Sequence, residues 1–271
     1  MQPFFKYFGG KWKLAKLYGR PMCRHVIEPF AGAAGYSVYW EPKEVTLIEQ
    51  NPAVYGVWDY LRRVSPSEVM RLPSNISHVD ELSPRVCQEA KWLIGFWFDV
   101  RGQTKPLESR STVARTPIHA ARSWSDTVKR RIASQVDRIR HWEIIHGNYQ
   151  DAPDVKAHWH IDPPYNNAAG DFYTLHKIDH QALAQWCLSR CGWRQVCEND
   201  GAAWLGFKPF SILQTSRGKG YSVEVVHESS NWPPRRIRSN PDRRRRGRGA
   251  SVVRRRSRKG IKSTRRTRHA S

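Results

Sequence analysis

His25-Val26-Ile27-Glu28-Pro29-Phe30-Ala31-Gly32-Ala33-Ala34-Gly35-Tyr36-Ser37 runs from an apolar strand into a loop of small residues and on into a helix. That order is the first βα turn of a nucleotide-type α/β fold. The spacing is not Gly-x-Gly-x-x-Gly, so a dinucleotide pyrophosphate is not specifically indicated; small residues here let a ligand approach the backbone without demanding phosphate. Next, Glu44-Val45-Thr46-Leu47-Ile48-Glu49 reads as a second strand ending in an acid, followed by Asn51-Pro52 and a helix through Leu61. An acid about twenty residues beyond a Gly-rich turn is placed to accept hydrogen bonds from ribose hydroxyls.

The strand signal returns at Trp142-Glu143-Ile144-Ile145-His146-Gly147-Asn148-Tyr149 and at Ala157-His158-Trp159-His160-Ile161. The second of these runs into Asp162-Pro163-Pro164-Tyr165. Two prolines fix φ and remove two N–H donors, so the strand must stop there and leave a rigid corner carrying a carboxylate, a carbonyl and a flat ring. In an open α/β sheet, ligands bind past such strand ends. The plain reading of the same residues is a strand followed by a Pro-Pro turn. Asp179 caps a helix through Leu188, Arg194–Glu198 reads as a strand, and Tyr221–His227 as a late alternating one. The alternation of strands and helices predicts an α/β protein with a mainly parallel sheet.

Ahead of the first strand stands Tyr7-Phe8-Gly9-Gly10-Lys11, leading into Trp12-Lys13-Leu14-Ala15-Lys16-Leu17-Tyr18, whose spacing suits a short amphipathic helix. Two glycines before a lysine let the backbone come close to a ligand while the ammonium reaches over it, with a carboxylate as a plausible target for Lys11. Between about Arg62 and Ile139 the pattern turns helical, polar and aromatic, with Ala90–Phe98 as its apolar part and a loop-rich basic stretch from Arg101 to Trp124. The expected organisation is a catalytic domain of residues 1–61 and 140–232, an inserted recognition lobe at 62–139 and a tail at 233–271.

That tail dominates the charge. From Pro233 onward seventeen Lys and Arg stand against the single acid Asp242, so the tail carries +16 of the net +22 and the first 232 residues the remaining +6. A mildly basic body with a strongly basic tail favours an anionic polymer partner, because each neutralised phosphate releases counterions. With few apolar residues the tail is expected to be disordered when free. The five cysteines, Cys23, Cys87, Cys187, Cys191 and Cys197, argue against a disulfide framework. Cys187 and Cys191, with His176 and His180 upstream, could be weighed as a zinc site, but helix packing explains them better, and no metal is expected. No run of eighteen apolar residues occurs and the first residues lack a signal-peptide layout, so a cytosolic site of action and no membrane partner are expected.

Taken in order, Tyr7-Phe8-Gly9-Gly10-Lys11, Glu28-Pro29-Phe30-Ala31-Gly32, Glu49-Gln50-Asn51-Pro52 and Asp162-Pro163-Pro164-Tyr165 resemble the motifs of the Dam-type DNA adenine-N6 methyltransferases, over about residues 4–230. The resemblance implies a Rossmann-like methyltransferase sheet, S-adenosylmethionine as methyl donor, double-stranded DNA as partner and a monomer. It places the donor's methionine end against Phe30, Ala31 and Gly32, Lys11 near its carboxylate and Glu49 on its ribose, with Tyr7, Gly10 and Asp162 in the same donor site. The family usually has an Asp holding the donor's adenine at the end of the strand before the catalytic one; here Asn148 stands there, with Asp151 three residues on. The catalytic set is Asp162, Pro163, Pro164 and Tyr165: Asp162 and the Pro163 carbonyl would take the two N–H groups of an adenine amine, while Tyr165 stacks on the base after it has flipped out of the duplex. Two other readings are open: methylation of RNA or of a protein amide at the same corner, and a non-catalytic basic nucleic-acid binder on this scaffold, which the Arg-rich tail and Asn148 would favour.

Overall fold

A computed structural model describes residues 1–74, 76, 82–98, 124–166, 173, 177–214 and 221–231. Seven strands form one mixed sheet: β1 (His25–Glu28), β2 (Glu44–Glu49), β3 (Glu143–His146), β4 (Ala157–Ile161), β5 (Gly192–Asn199), β6 (Lys208–Gln214) and β7 (Tyr221–Ser230). Their order across the sheet is β3-β2-β1-β4-β5-β7-β6. The first five run parallel, whereas β7 is antiparallel to both β5 and β6, with a register irregularity between Pro209 and Ser211. This is the dinucleotide-fold order 3-2-1-4-5-6 with one antiparallel strand inserted before the edge. The chain order reverses between β1 and β4, and the ends of those two strands flank a crevice.

Period-two alternation assigns each strand residue to a face. On one face Ile27, Ile48, Trp159, Ile161 and Val196 pack with Leu183 and Cys187. On the other, Val45 and Leu47 join Phe4, Phe5, Val54, Trp58, Phe96 and Trp142, while Val26, Tyr36, Cys197 and Val226 form a neighbouring group. With both faces covered, all five residues of β4 are buried. Its two histidines are therefore interior: the Tyr36 ring stacks on His158 and His160 at centroid distances of 5.0 and 4.4 Å. Burial pulls both imidazoles down to about 3, so they are neutral at ordinary pH.

Among the described residues there are six α-helices, α1 (Gly35–Trp40), α2 (Pro52–Arg63), α3 (Pro66–Arg71), α4 (Gln88–Phe98), α5 (Asp126–Ala133) and α6 (His180–Ser189). Asn51 caps α2, its Oδ1 accepting from the Ala53 N–H at 3.0 Å, and Pro52 occupies the first turn, where its missing N–H costs nothing. Asp179 caps α6 in the same way. No described helix is long and apolar enough to cross a membrane.

Two expectations change. Trp12–Tyr18 is not an amphipathic α-helix: a 3-10 turn spans Lys11–Lys13 and continues as turns, because the segment lies against α1 where a Cβ on Gly35 would overlap the backbone of Lys11 and Trp12. Cys187 and Cys191 do not share a helix, since α6 ends at Ser189; Cys187 is a buried core residue and the Cys191 carbonyl accepts from the Trp159 indole at 2.8 Å. The described parts of 62–139 pack on the body of the sheet: Leu93, Ile94, Phe96, Trp124 and Ile132 share one hydrophobic cluster with Val45 and Leu47, and residues 1–233 form one compact unit. Residues 99–123, the loop-rich basic stretch, and the Arg-rich tail lie outside the described residues.

Candidate active site

The parallel strands β1, β2, β3 and β4 all end on the same side of the sheet, and a cavity of about 300 Å³ opens there. It is lined by Tyr7, Gly10 and Lys11 from the chain's first turn, Phe30, Ala31 and Gly32 after β1, Glu49 at the end of β2, Asn148 after β3, and Asp162 and Pro164 after β4. Every residue assigned from sequence to donor binding therefore meets in one crevice at the reversal point of the sheet.

One wall is the loop after β1. Gly32 has φ +46°, a left-handed conformation that an L side chain adopts at a cost, and a Cβ there would sit 3.0 Å from the Tyr7 ring. The loop is tied down from two directions. The Gly32 N–H donates to Glu49 Oε2 at 2.9 Å, and the Gly32 carbonyl accepts from the Trp58 indole N–H at 2.7 Å. Glu49 Oε1 takes the Asn51 N–H at 2.8 Å, so both carboxylate oxygens are oriented by backbone, with the Gln50 N–H as a third donor. Burial pushes the Glu49 carboxyl upward, and these backbone donors oppose it. Glu28, whose Oε1 accepts from the Ser37 N–H at 2.8 Å, is buried with no ion pair among the described residues and rises to about 7.

Asn148 holds its own loop. Its Oδ1 accepts from the Gln150 N–H at 2.7 Å, and its N–H donates to Asp151 Oδ2 at 2.8 Å, a reciprocal cap on the turn Tyr149–Asp151. The amide in place of an acid is thus the capping residue of that turn, with Asp151 as its partner. Beside it Phe30 and Tyr149 stack at 5.5 Å between ring centroids, and both line the cavity.

The other wall is the Asp-Pro-Pro-Tyr corner. Lys11 does not point into open space: its Nζ lies 2.8 Å from Asp162 Oδ1 and 3.7 Å from Glu224 Oε1, and sits 4.8 Å above the centre of the Tyr165 ring. Burial pulls the ammonium down, but Asp162, Tyr165 and Glu224 outweigh it and hold Lys11 well above its ordinary range. Burial also pushes Asp162 up, to about 6, against the pull of Lys11 and with Glu224 adding to the rise. The Tyr165 hydroxyl donates to Glu224 at 2.8 Å, and Tyr18 donates to the same carboxylate at 2.7 Å. Asp162 and Pro164 face the cavity; Pro163 is buried, and Tyr165 is not part of the cavity lining.

The residue missed by sequence reasoning is Glu224. It is 2 % exposed in the middle of β7, 62 positions from Asp162 along the chain. A signal was present: an acid inside Val223-Glu224-Val225-Val226 is a charge in an apolar strand, and such groups are rarely buried without partners. Among the described residues, Asp162, Cys197 and Glu224 bring ligand-type atoms within 4.8 Å of one another, but the cation beside the two carboxylates is already Lys11. A metal there would have to displace that ammonium.

No protein-family model matches this chain, and no curated protein matches it.

Proposed function

We propose that the chain is an S-adenosylmethionine-dependent methyltransferase that modifies the N6 amine of a flipped adenine in double-stranded DNA, on a Rossmann-like methyltransferase sheet. One observation carries the reading: a single cavity at the reversal point of the sheet is bounded by a backbone-fixed small-residue loop on one side and by a charged Asp-Pro-Pro-Tyr corner on the other. The residues present fit the donor. Ala31 and Gly32 line the cavity with little side chain, Glu49 sets a backbone-oriented carboxylate at its wall, and the Phe30–Tyr149 stack offers an aromatic face. S-adenosylmethionine supplies, when bound, an electrophilic methyl group on a sulfonium.

The protein's part is to make a poor nucleophile attack. An exocyclic adenine amine has its lone pair delocalised into the ring. Asp162 accepts one N–H and the Pro163 carbonyl the other, which favours a tetrahedral nitrogen with its lone pair freed for attack. Tyr165, fixed by its hydroxyl on Glu224 and with Lys11 over one ring face, is the ring assigned to stack on the base. The net charge of +22 supports a polyanionic acceptor. Radiolabelled methyl transfer assayed side by side on duplex DNA, RNA and protein tests the reading. Label in N6-methyladenine of duplex DNA is expected; label only in RNA or in protein amides would move the acceptor, and calorimetry showing no donor binding would leave a nucleic-acid binder.

A further inference from the structure

Asp162 and Glu224 are two carboxylates beside one ammonium. Lys11 stands closer to Asp162, at 2.8 Å, than to Glu224, at 3.7 Å, and Glu224 makes up the difference with two phenol donors, Tyr18 and Tyr165. Asp162 keeps a fifth of its side chain exposed, whereas Glu224 is 3 % exposed. One carboxylate is thus open to a ligand and the other is closed behind it, held by hydroxyls that have no charge to cancel its own.

We propose that Glu224 is a positioning residue that keeps Asp162 basic, so that Asp162 serves as the acceptor of the proton released by the methylated amine. The proposal rests on the methyl-transfer reading for its purpose. In the step itself the amine lone pair forms the N–C bond as the C–S bond breaks with its electrons to sulfur; one N–H proton leaves the nitrogen for an Asp162 oxygen and then passes to water. A carboxylate fully neutralised by a lysine would be a feeble acceptor for that proton. The Glu224 charge, buried close to the same ammonium, weakens the neutralisation. Asp162 is faced by Lys11 and Tyr18 from the first turns, Glu28 from β1, Cys197 and Glu198 from β5, Tyr165 from its own corner, Tyr173 beyond it and Glu224 from β7. Of the acids among them, Glu224 is the one that shares Lys11, and its effect on Asp162 exceeds that of Glu198. Glu198 spends its oxygens on the Trp204 indole at 3.0 Å and the Asn199 N–H at 2.9 Å.

Glu224→Gln removes the charge while keeping an acceptor for Tyr165. In the full-length protein, labelled with 13C at aspartate carboxyls and assigned with Asp162→Asn, the titration midpoint of Asp162 is expected to fall by about one pH unit in Glu224→Gln, because a like charge has gone. Glu224→Asp, which retains the charge, is expected to restore it. The acidic limb of the methyl-transfer pH profile, measured at saturating donor, is expected to move with the midpoint. Should Glu224→Gln fail to fold by circular dichroism, Glu224→Met removes the same charge in a similar volume. An Asp162 midpoint that stays in place in the neutral variant overturns the proposal, as does a midpoint that moves while the acidic limb does not. Absence of methyl transfer in the wild type, with the midpoint still moving, overturns the functional reading and leaves the coupling between Glu224 and Asp162 standing.

Discussion

The two walls of the cavity are built by different physics. The loop after β1 is held by backbone: a left-handed glycine, amides donating to Glu49, and an indole donating to a carbonyl. The Asp-Pro-Pro-Tyr corner is held by side-chain charges that converge from the first turn, the end of β4 and the middle of β7. The first arrangement is fixed by backbone hydrogen bonds. The second is adjustable, because moving one proton or one charge changes all its members. A wall that must only fit a ligand can be made of fixed amides, whereas a wall that must take up a proton needs groups whose charge can change.

Asp162→Ala breaks the comparison most severely. Methyl transfer is expected to fall by about 10²- to 10⁴-fold, with donor binding by calorimetry changed only a few-fold; equal loss of both would mean that the two walls are one site. Glu49→Gln acts on the other wall. A glutamine can replace only one of the two acceptor oxygens and turns an N–H toward the Gly32 or Asn51 amide, so a stability loss of about 1–3 kcal/mol and a raised KM for the donor are expected, with kcat at saturating donor nearly retained. A fall in kcat with KM unchanged would contradict the assignment.

Glu28→Gln tests the electrostatics of the crevice by pH. The folded-state value of Glu28, about 7, lies above its unfolded value, so its contribution is present at low pH and is lost as pH rises through 7. The glutamine can still accept from Ser37. The variant is therefore expected to match the wild type near pH 5 and to exceed it by roughly 1–3 kcal/mol near pH 8 in urea denaturation, and a difference independent of pH would refute the buried-acid account. Asn148→Ala has the smallest expected effect. Loss of the cap on Tyr149–Asp151 should cost about 1 kcal/mol with the acceptor corner untouched, and a collapse of transfer would show that Asn148 does more than hold its loop.

The same contrast explains what could be read from the chain. Local signals specified the strand at His25–Glu28, the acid at the end of β2, the Asn51-Pro52 helix start and the strand that runs into Asp162, because each depends on neighbours a few positions apart. The strand β6 carried no such signal: Lys208-Pro209-Phe210-Ser211 interrupts alternation with a proline, and its pairing is to β7 alone. The convergence of Lys11, Asp162 and Glu224 depends on sheet order, which puts β7 beside β5 rather than at the edge. Charge pairing between positions so far apart is a property of the folded chain. The pattern of Trp12–Tyr18 suited a helix, but tertiary contact with Gly35 and the Trp12 indole's bond to the Met1 carbonyl at 2.9 Å hold it in turns.

The indole of Trp58 joins two regions that otherwise have little in common. Its ring lies among Phe4, Phe5 and Trp142 in the hydrophobic interior, while its N–H ends on the Gly32 carbonyl at the cavity wall. Filling the cavity changes the dipole that this N–H sees, and an indole's emission energy follows its local field. Ligand entry is therefore expected to show as a change in the difference in fluorescence between the native protein and Trp58→Phe, with no label added.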